Sequence, residues 1–159
     1  MVDYISQLER KTNRIPLFFA IYFLDFFFSS AIAWLVAFYD PDIFKIFEDG
    51  TPLVEIFFVT VIFAPLLETF LCQYLVIEIL YRFKKISVSS IIIISALIFS
   101  LGHYYNIIYI FFAFVSGLVY ASYYLYLKME KKRFPFLYIV GLHALYNFTV
   151  FILDDVLGW

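Results

Sequence analysis

Residues 106–127 read NIIYIFFAFVSGLVYASYYLYL, and the six that follow, 128–133, read KMEKKR. Twenty-two residues pass without a charge, and then four of six are basic. A bilayer core of about 30 Å is crossed by about 20 apolar residues of helix. A surface helix of a soluble protein keeps a polar face, whereas a helix in lipid needs none. The stretch therefore predicts a transmembrane helix that ends at a charged surface.

Working outward, four more apolar runs lie at 15–39, 52–82, 87–104 and 135–153. The chain has 159 residues, of which 65% are hydrophobic, against about 45–50% in soluble domains. So short a chain cannot bury that much apolar surface in one water-soluble core. Spans must be helices or closed barrel strands, because lipid satisfies no backbone hydrogen bonds. Barrel strands alternate apolar and polar residues, and these runs are continuous. The expected fold class is all-α, a polytopic membrane bundle of about five transmembrane helices. It forms one membrane domain over 1–159, in which 15–51 supplies the first span and an outer loop. No soluble domain, linker or internal repeat is legible. Aromatic residues make up 24%, which suits lipid-facing and interfacial positions. Cys72 is the single cysteine, so no intramolecular disulfide forms. There is no basic patch of the kind nucleic acid needs, and membrane lipid is the expected surrounding.

The second run, 31 residues long, would reach about 46 Å as one helix. Pro65 sits inside it and is expected to kink or divide it. Charge sets the orientation. Arg10, Lys11 and Arg14 precede the first run, Arg82, Lys84 and Lys85 follow the second, and Lys128, Lys131, Lys132 and Arg133 follow the fourth. With alternating spans these ten share one side. The other side holds only Lys45, beside Asp40, Asp42, Glu48, Asp49, Asp154 and Asp155. The N-terminus is expected in the cytoplasm and the C-terminus outside. Ala31-Ile32-Ala33 imitates a signal-peptidase site, but the apolar run continues through Phe38, so an uncleaved anchor is expected. Ala113, Gly117 and Ala121 recur every fourth residue. Such a stripe lets two backbones approach closely, either inside the bundle or across a homodimer.

Ionisable groups within a membrane are costly and mark functional sites by default. The candidates are Asp25, Glu55, Glu68, Glu78, His103 and His143, with Gln73 and Asn147 as neutral partners. Glu55 and Glu78 lie near span ends and read as interfacial. Asp25 has no partner in the sequence pattern and reads as structural or unassigned. Glu68 is deep in its span, just after Pro65. Phe99 and His103, and again His143 and Asn147, are four apart and so share helical faces. One carboxylate, two imidazoles and an amide thus come from three helices at overlapping depth. Individually each is explained equally well as helix-to-helix glue. Together they admit two chemistries. Glu68, His103 and His143 could ligate a transition metal such as zinc, although there is no H-E-x-x-H. Without metal, a carboxylate and an imidazole deprotonate water, and the other groups stabilise an oxyanion.

The runs A-P-L-L-E-T-F-L-C-Q (64–73), F-S-L-G-H (99–103) and H-A-L-Y-N (143–147) resemble the CAAX-protease and bacteriocin-processing (CPBP) family. That family is marked by E-E-x-x-x-R after Pro, then F-x-x-x-H, then H-x-x-x-N or H-x-x-x-D. The resemblance covers about 52–153, which becomes the CPBP-like core, and includes the small-residue helix around 114–123. It implies a cofactor-independent intramembrane endopeptidase acting on a membrane-embedded or lipid-associated polypeptide. Glu68 would activate water with help from His103, and His143 and Asn147 would form the oxyanion site. Thr69, Gln73 and Phe99 would support that site. Two positions depart from the pattern: the family's second Glu is Thr69 here, and its Arg is Gln73. Cys72, one turn after Glu68, reads as an inert small apolar residue. The resemblance equally admits a non-catalytic scaffold or bacteriocin-immunity protein, and a bacterial inner membrane as its home. Buried Glu and His would also suit a small transporter, but a short bundle without an internal repeat suits one poorly. Charge places the site in the outer half of the membrane, whereas the prenyl-protein enzymes of the family act on cytosolic substrates.

Overall fold

The computed structural model describes residues 14–40, 43, 45–48 and 50–158, with only the backbone of Arg14. Arg10, Lys11, Asp42 and Asp49 lie outside the described residues. The described chain is helical throughout, without strands. It contains α1 (Arg14–Ala37), α2 (Leu53–Leu80), α3 (Val88–Leu101), α4 (Ile107–Met129) and α5 (Pro135–Val156). Four of these are long and apolar enough to cross a membrane, and α3, with 14 residues, is shorter. At about 21 Å, α3 falls short of a hydrocarbon core of about 30 Å. The 87–104 run is thus cut back at its C-terminal end, where Gly102 leaves the helix and Asn106 caps α4. The Asn106 Oδ1 accepts the Tyr109 N–H at 2.8 Å, and its Nδ2 donates to the Ile43 carbonyl at 2.7 Å.

Pro65 does not divide α2. The helix stays continuous over 28 residues, with π-helical stretches at Phe58–Phe63 and Thr69–Leu75 on either side of the proline turn. Proline lacks an N–H and crowds the preceding turn, and wider turns absorb that defect without breaking the helix. Glu68 ends the short α-helical piece between the two π stretches. α1 continues unbroken through Ala31-Ile32-Ala33.

The core lies where α2, α3, α4 and α5 meet, around Ile77, Ala121, Ile139 and Leu142, all fully enclosed. α3 and α4 pack most closely. A Cβ added at Gly117 would lie 3.0 Å from the Ala96 Cα and 3.2 Å from its carbonyl oxygen. Ala113, Gly117 and Ala121 are buried inside the chain, where they admit α3, so the small-residue stripe serves packing within the bundle, one of the two uses it allowed. Outside the core the helices present large apolar side chains, including Phe23, Leu24, Phe27 and Trp34, as lipid-facing surfaces do.

At the end where α2 finishes and α4 finishes, Glu78 is paired. Lys128 Nζ donates to its two oxygens at 2.7 and 2.8 Å, and the Tyr124 hydroxyl donates at 2.8 Å. Glu78 is therefore an inter-helix clamp beside its cationic loops rather than a free interfacial carboxylate. Glu55, by contrast, is exposed at the opposite end of α2.

Candidate active site

Glu68 lies twelve residues from the Leu80 end of α2, about 18 Å in. Its Oε2 faces two imidazoles, with His103 Nε2 at 3.5 Å and His143 Nε2 at 3.8 Å. Three helices thus bring a carboxylate and both histidines of the chain to one point. The side chains are graded in exposure: Glu68 30%, His103 15% and His143 4%. The site therefore opens on the Glu68 and His103 side and closes behind His143. Both separations are at or beyond the limit of a direct hydrogen bond, which leaves the facing atoms free for a reactant.

Each imidazole is held by its surroundings. His103 Nδ1 meets the Phe99 carbonyl at 2.8 Å. A carbonyl only accepts, so Nδ1 carries the proton, and the Nε2 of neutral His103 is a base directed at Glu68. Tyr109 stacks on the His103 ring at 5.7 Å and 14°. The Phe99 ring lies between the two histidines, 4.6 Å from His103 and 5.5 Å from His143. Tyr120 packs against His143 at 5.2 Å and against Phe99 at 5.8 Å, so the three rings form one cluster. His143 Nδ1 has no hydrogen-bond partner among the described residues, so aromatic packing orients its ring.

Asn147 lies one turn after His143 on α5, but its amide Nδ2 donates to the Thr60 carbonyl at 2.8 Å. That carbonyl belongs to the first π stretch of α2, so Asn147 locks α5 onto the segment leading to Glu68. A second amide hydrogen remains to be donated. Thr69 and Gln73 are fully buried on the second π stretch, and neither side chain has a hydrogen-bond partner among the described residues. The Cys72 carbonyl accepts from Ser95 Oγ at 2.7 Å, which fixes α2 to α3, while its thiol is half-buried against the core. An apolar groove of about 420 Å³, lined by Phe63, Leu66, Leu67, Phe70 and Phe136, contains none of the polar site residues. No group of three His, Cys, Asp or Glu side chains is placed to hold a metal ion among the described residues.

Tyr109, Tyr120 and the Thr60 carbonyl were not among the residues expected from sequence. Tyr120 carried a signal, because it shares the α4 face of Ala113, Gly117 and Ala121. Tyr109 and Thr60 carried none, since one acts through a ring face and the other through its backbone.

The family model described as Type II CAAX prenyl endopeptidase Rce1-like matches residues 50–149. No curated protein and no solved structure matches the chain. The matched segment runs from the start of α2 to near the end of α5 and includes Glu68, His103, His143 and Asn147. The chain belongs to the Rce1-like type II CAAX prenyl endopeptidase family.

Proposed function

We propose that this protein is an intramembrane endopeptidase that hydrolyses a peptide bond in a membrane-embedded or lipid-associated polypeptide. The observation that carries the reading is the convergence of His103 Nε2 and His143 Nε2 on one oxygen of Glu68. A water lying against Glu68 and His103 donates to both, and its oxygen attacks the scissile carbonyl carbon. The water's proton passes to Glu68 as the new C–O bond forms. His143 and the free amide hydrogen of Asn147 stabilise the oxyanion. Proton return from Glu68 to the amide nitrogen lets the C–N bond break, leaving a carboxylate and an amine. Family membership supports this assignment, as does the burial that graded exposure gives the oxyanion side.

A second reading keeps the fold without chemistry, as a peptide-binding scaffold or immunity-type protein. It is favoured by Thr69 and Gln73 standing where the family pattern has Glu and Arg, and by the commitment of Asn147 to Thr60. The cationic loops at 82–85 and 128–133 support a reading in which that end faces the cytoplasm and the C-terminus lies outside, and the family resemblance suggests a bacterial inner membrane.

The deciding experiment compares membrane and secreted peptides, by mass spectrometry, between cells carrying the wild type and cells carrying Glu68→Gln at matched expression. A fragment found only with the wild type is expected, and it names the substrate. Identical profiles, with a normal phenotype from the variant, overturn hydrolysis in favour of the scaffold.

A further inference from the structure

Glu68, His143 and Asn147 stand on helices, but His103 does not. α3 ends at Leu101, and the His103 imidazole projects from the turn between α3 and α4. A turn holds a side chain less closely than a helix does, and a base must be held closely to act. From the α3 side, the Phe99 carbonyl accepts the His103 Nδ1–H at 2.8 Å. One hydrogen bond aims Nδ1 but leaves the ring able to turn about it. The ring plane is set by Tyr109, which lies nearly parallel to it at 5.7 Å and 14°, whereas Phe99 is tilted by 47°.

Tyr109 is placed in turn by Asn106. With an extended backbone, Asn106 stands at the N-cap of α4, and its Oδ1 accepts the Tyr109 N–H at 2.8 Å. Its own carbonyl accepts from the Ile110 N–H at 3.1 Å, which closes the first helical turn around Tyr109. The other end of the amide is anchored as well. Asn106 Nδ2 donates at 2.7 Å to the Ile43 carbonyl, in the segment between α1 and α2 that precedes the family match. An amide both donates and accepts, so one side chain meets both partners. On its outward side the Tyr109 ring meets Tyr105 edge-on, at 5.1 Å and 69°. We infer that Asn106 and Tyr109 are positioning residues: the Asn106 cap fixes the Tyr109 ring, and that ring holds the His103 imidazole with Nε2 toward Glu68. The consequence for cleavage rests on the endopeptidase reading, but the effect on His103 does not.

The test exploits the presence of two histidines in the chain. Full-length protein labelled with ¹⁵N and ¹³C in histidine gives two imidazole signal sets in nanodiscs, assigned with His103→Ala and His143→Ala. Carbon–hydrogen dipolar couplings then read how far each ring moves, and the loss of a neighbouring ring current does not alter them. Tyr109→Leu is expected to loosen the His103 ring and leave His143 as ordered as in the wild type. Tyr109→Phe keeps the parallel ring and is expected to keep His103 ordered. Asn106→Ala, which touches neither ring, is expected to loosen His103, and Asn106→Ser, which keeps a capping oxygen, to restore it. Turnover of the fragment found by peptide profiling is expected to fall about 10-fold to 100-fold in Tyr109→Leu, the scale of a slightly misplaced group. The loss should lie in kcat rather than KM, and Tyr109→Phe should recover it. If Asn106→Ala does not fold, the two Tyr109 variants decide alone. An ordered His103 ring in folded Tyr109→Leu overturns the inference, and so does equal loosening in Tyr109→Phe. Loosening of His103 and His143 together in every variant also overturns it, because that is general loss of packing. A wild type that cleaves nothing refutes the endopeptidase reading and leaves the spectroscopic result standing.

Discussion

Two glycine-to-alanine substitutions in the interiors of long helices should have opposite effects. Both gain about 0.8–1 kcal/mol of intrinsic helix propensity. At Gly141 the new Cβ meets only the Phe18 Cε2, at 4.0 Å, an ordinary contact. At Gly117 it meets the Ala96 Cα at 3.0 Å, the Ala96 carbonyl at 3.2 Å and the Phe99 Cδ1 at 3.2 Å. Carbon atoms prefer about 3.5–4.0 Å, so α3 and α4 must separate by roughly half an ångström. Two of the three crowded atoms are backbone and cannot rotate away. Overpacking of this kind costs about 1–3 kcal/mol, so Gly117→Ala should be net destabilising by up to about 2 kcal/mol. Thermal unfolding of the purified protein in one detergent would read this as a lowering of about 2–8 °C, on the soluble-protein scale for this chain length. Gly141→Ala should match or exceed the wild type. Because Phe99 lies between the histidines, Gly117→Ala should also reduce cleavage. Equal melting temperatures for both variants would refute the reasoning, because they would mean that the α3–α4 interface yields without cost.

Asn147→Ala should lower cleavage about 10²-fold to 10³-fold, the loss typical of an oxyanion donor, and kinetics on the identified substrate would check it. His103→Ala should be nearly as damaging as Glu68→Gln in the same assay, and full cleavage by His103→Ala would remove it from the mechanism. Lys128→Ala leaves Glu78 without its ion pair and should cost about 1–3 kcal/mol, whereas Lys132→Ala, whose partner Glu130 lies 3.8 Å away, should change stability by less than about 0.5 kcal/mol. Thermal melts of the two variants side by side would separate these. EDTA and 1,10-phenanthroline should leave cleavage unchanged, and a loss restored by zinc would establish the metal reading instead.

The helices were legible because an apolar run in lipid needs no partner to explain it. The ends of 52–82, 106–127 and 135–153 shift only slightly in α2, α4 and α5. The C-terminal end of 87–104 was not legible, since Tyr104 and Tyr105 continue the apolar pattern after the helix has stopped at Leu101. Glu68, His103 and His143 could be found because ionisable groups are scarce where lipid is expected. Their partners could not. Glu78 finds Lys128 fifty residues away, and Asp25 finds Ser116 ninety-one residues away. Neither spacing has a period for a sequence pattern to reveal. The small-residue stripe showed that two backbones meet, but small residues look the same whether the partner is α3 or another chain.

The departures at Thr69 and Gln73 bear directly on hydrolysis against scaffolding. Both positions are fully enclosed, and a buried charge without its opposite costs several kcal/mol. The Glu and Arg of the family pattern therefore have to be lost together, as they are here. With both neutral, charge at the site rests on Glu68 and the two imidazoles. His103 spends its Nδ1 proton on the Phe99 carbonyl, so when neutral it turns a lone pair toward Glu68 Oε2, 3.5 Å away. Two acceptors aimed at each other call for a guest with two hydrogens to give. Water has two and an outward lone pair besides, whereas a peptide N–H has one and a carbonyl has none. A surface evolved only to hold a peptide gains nothing from that arrangement. The geometry at Glu68 therefore favours a site that positions water for attack.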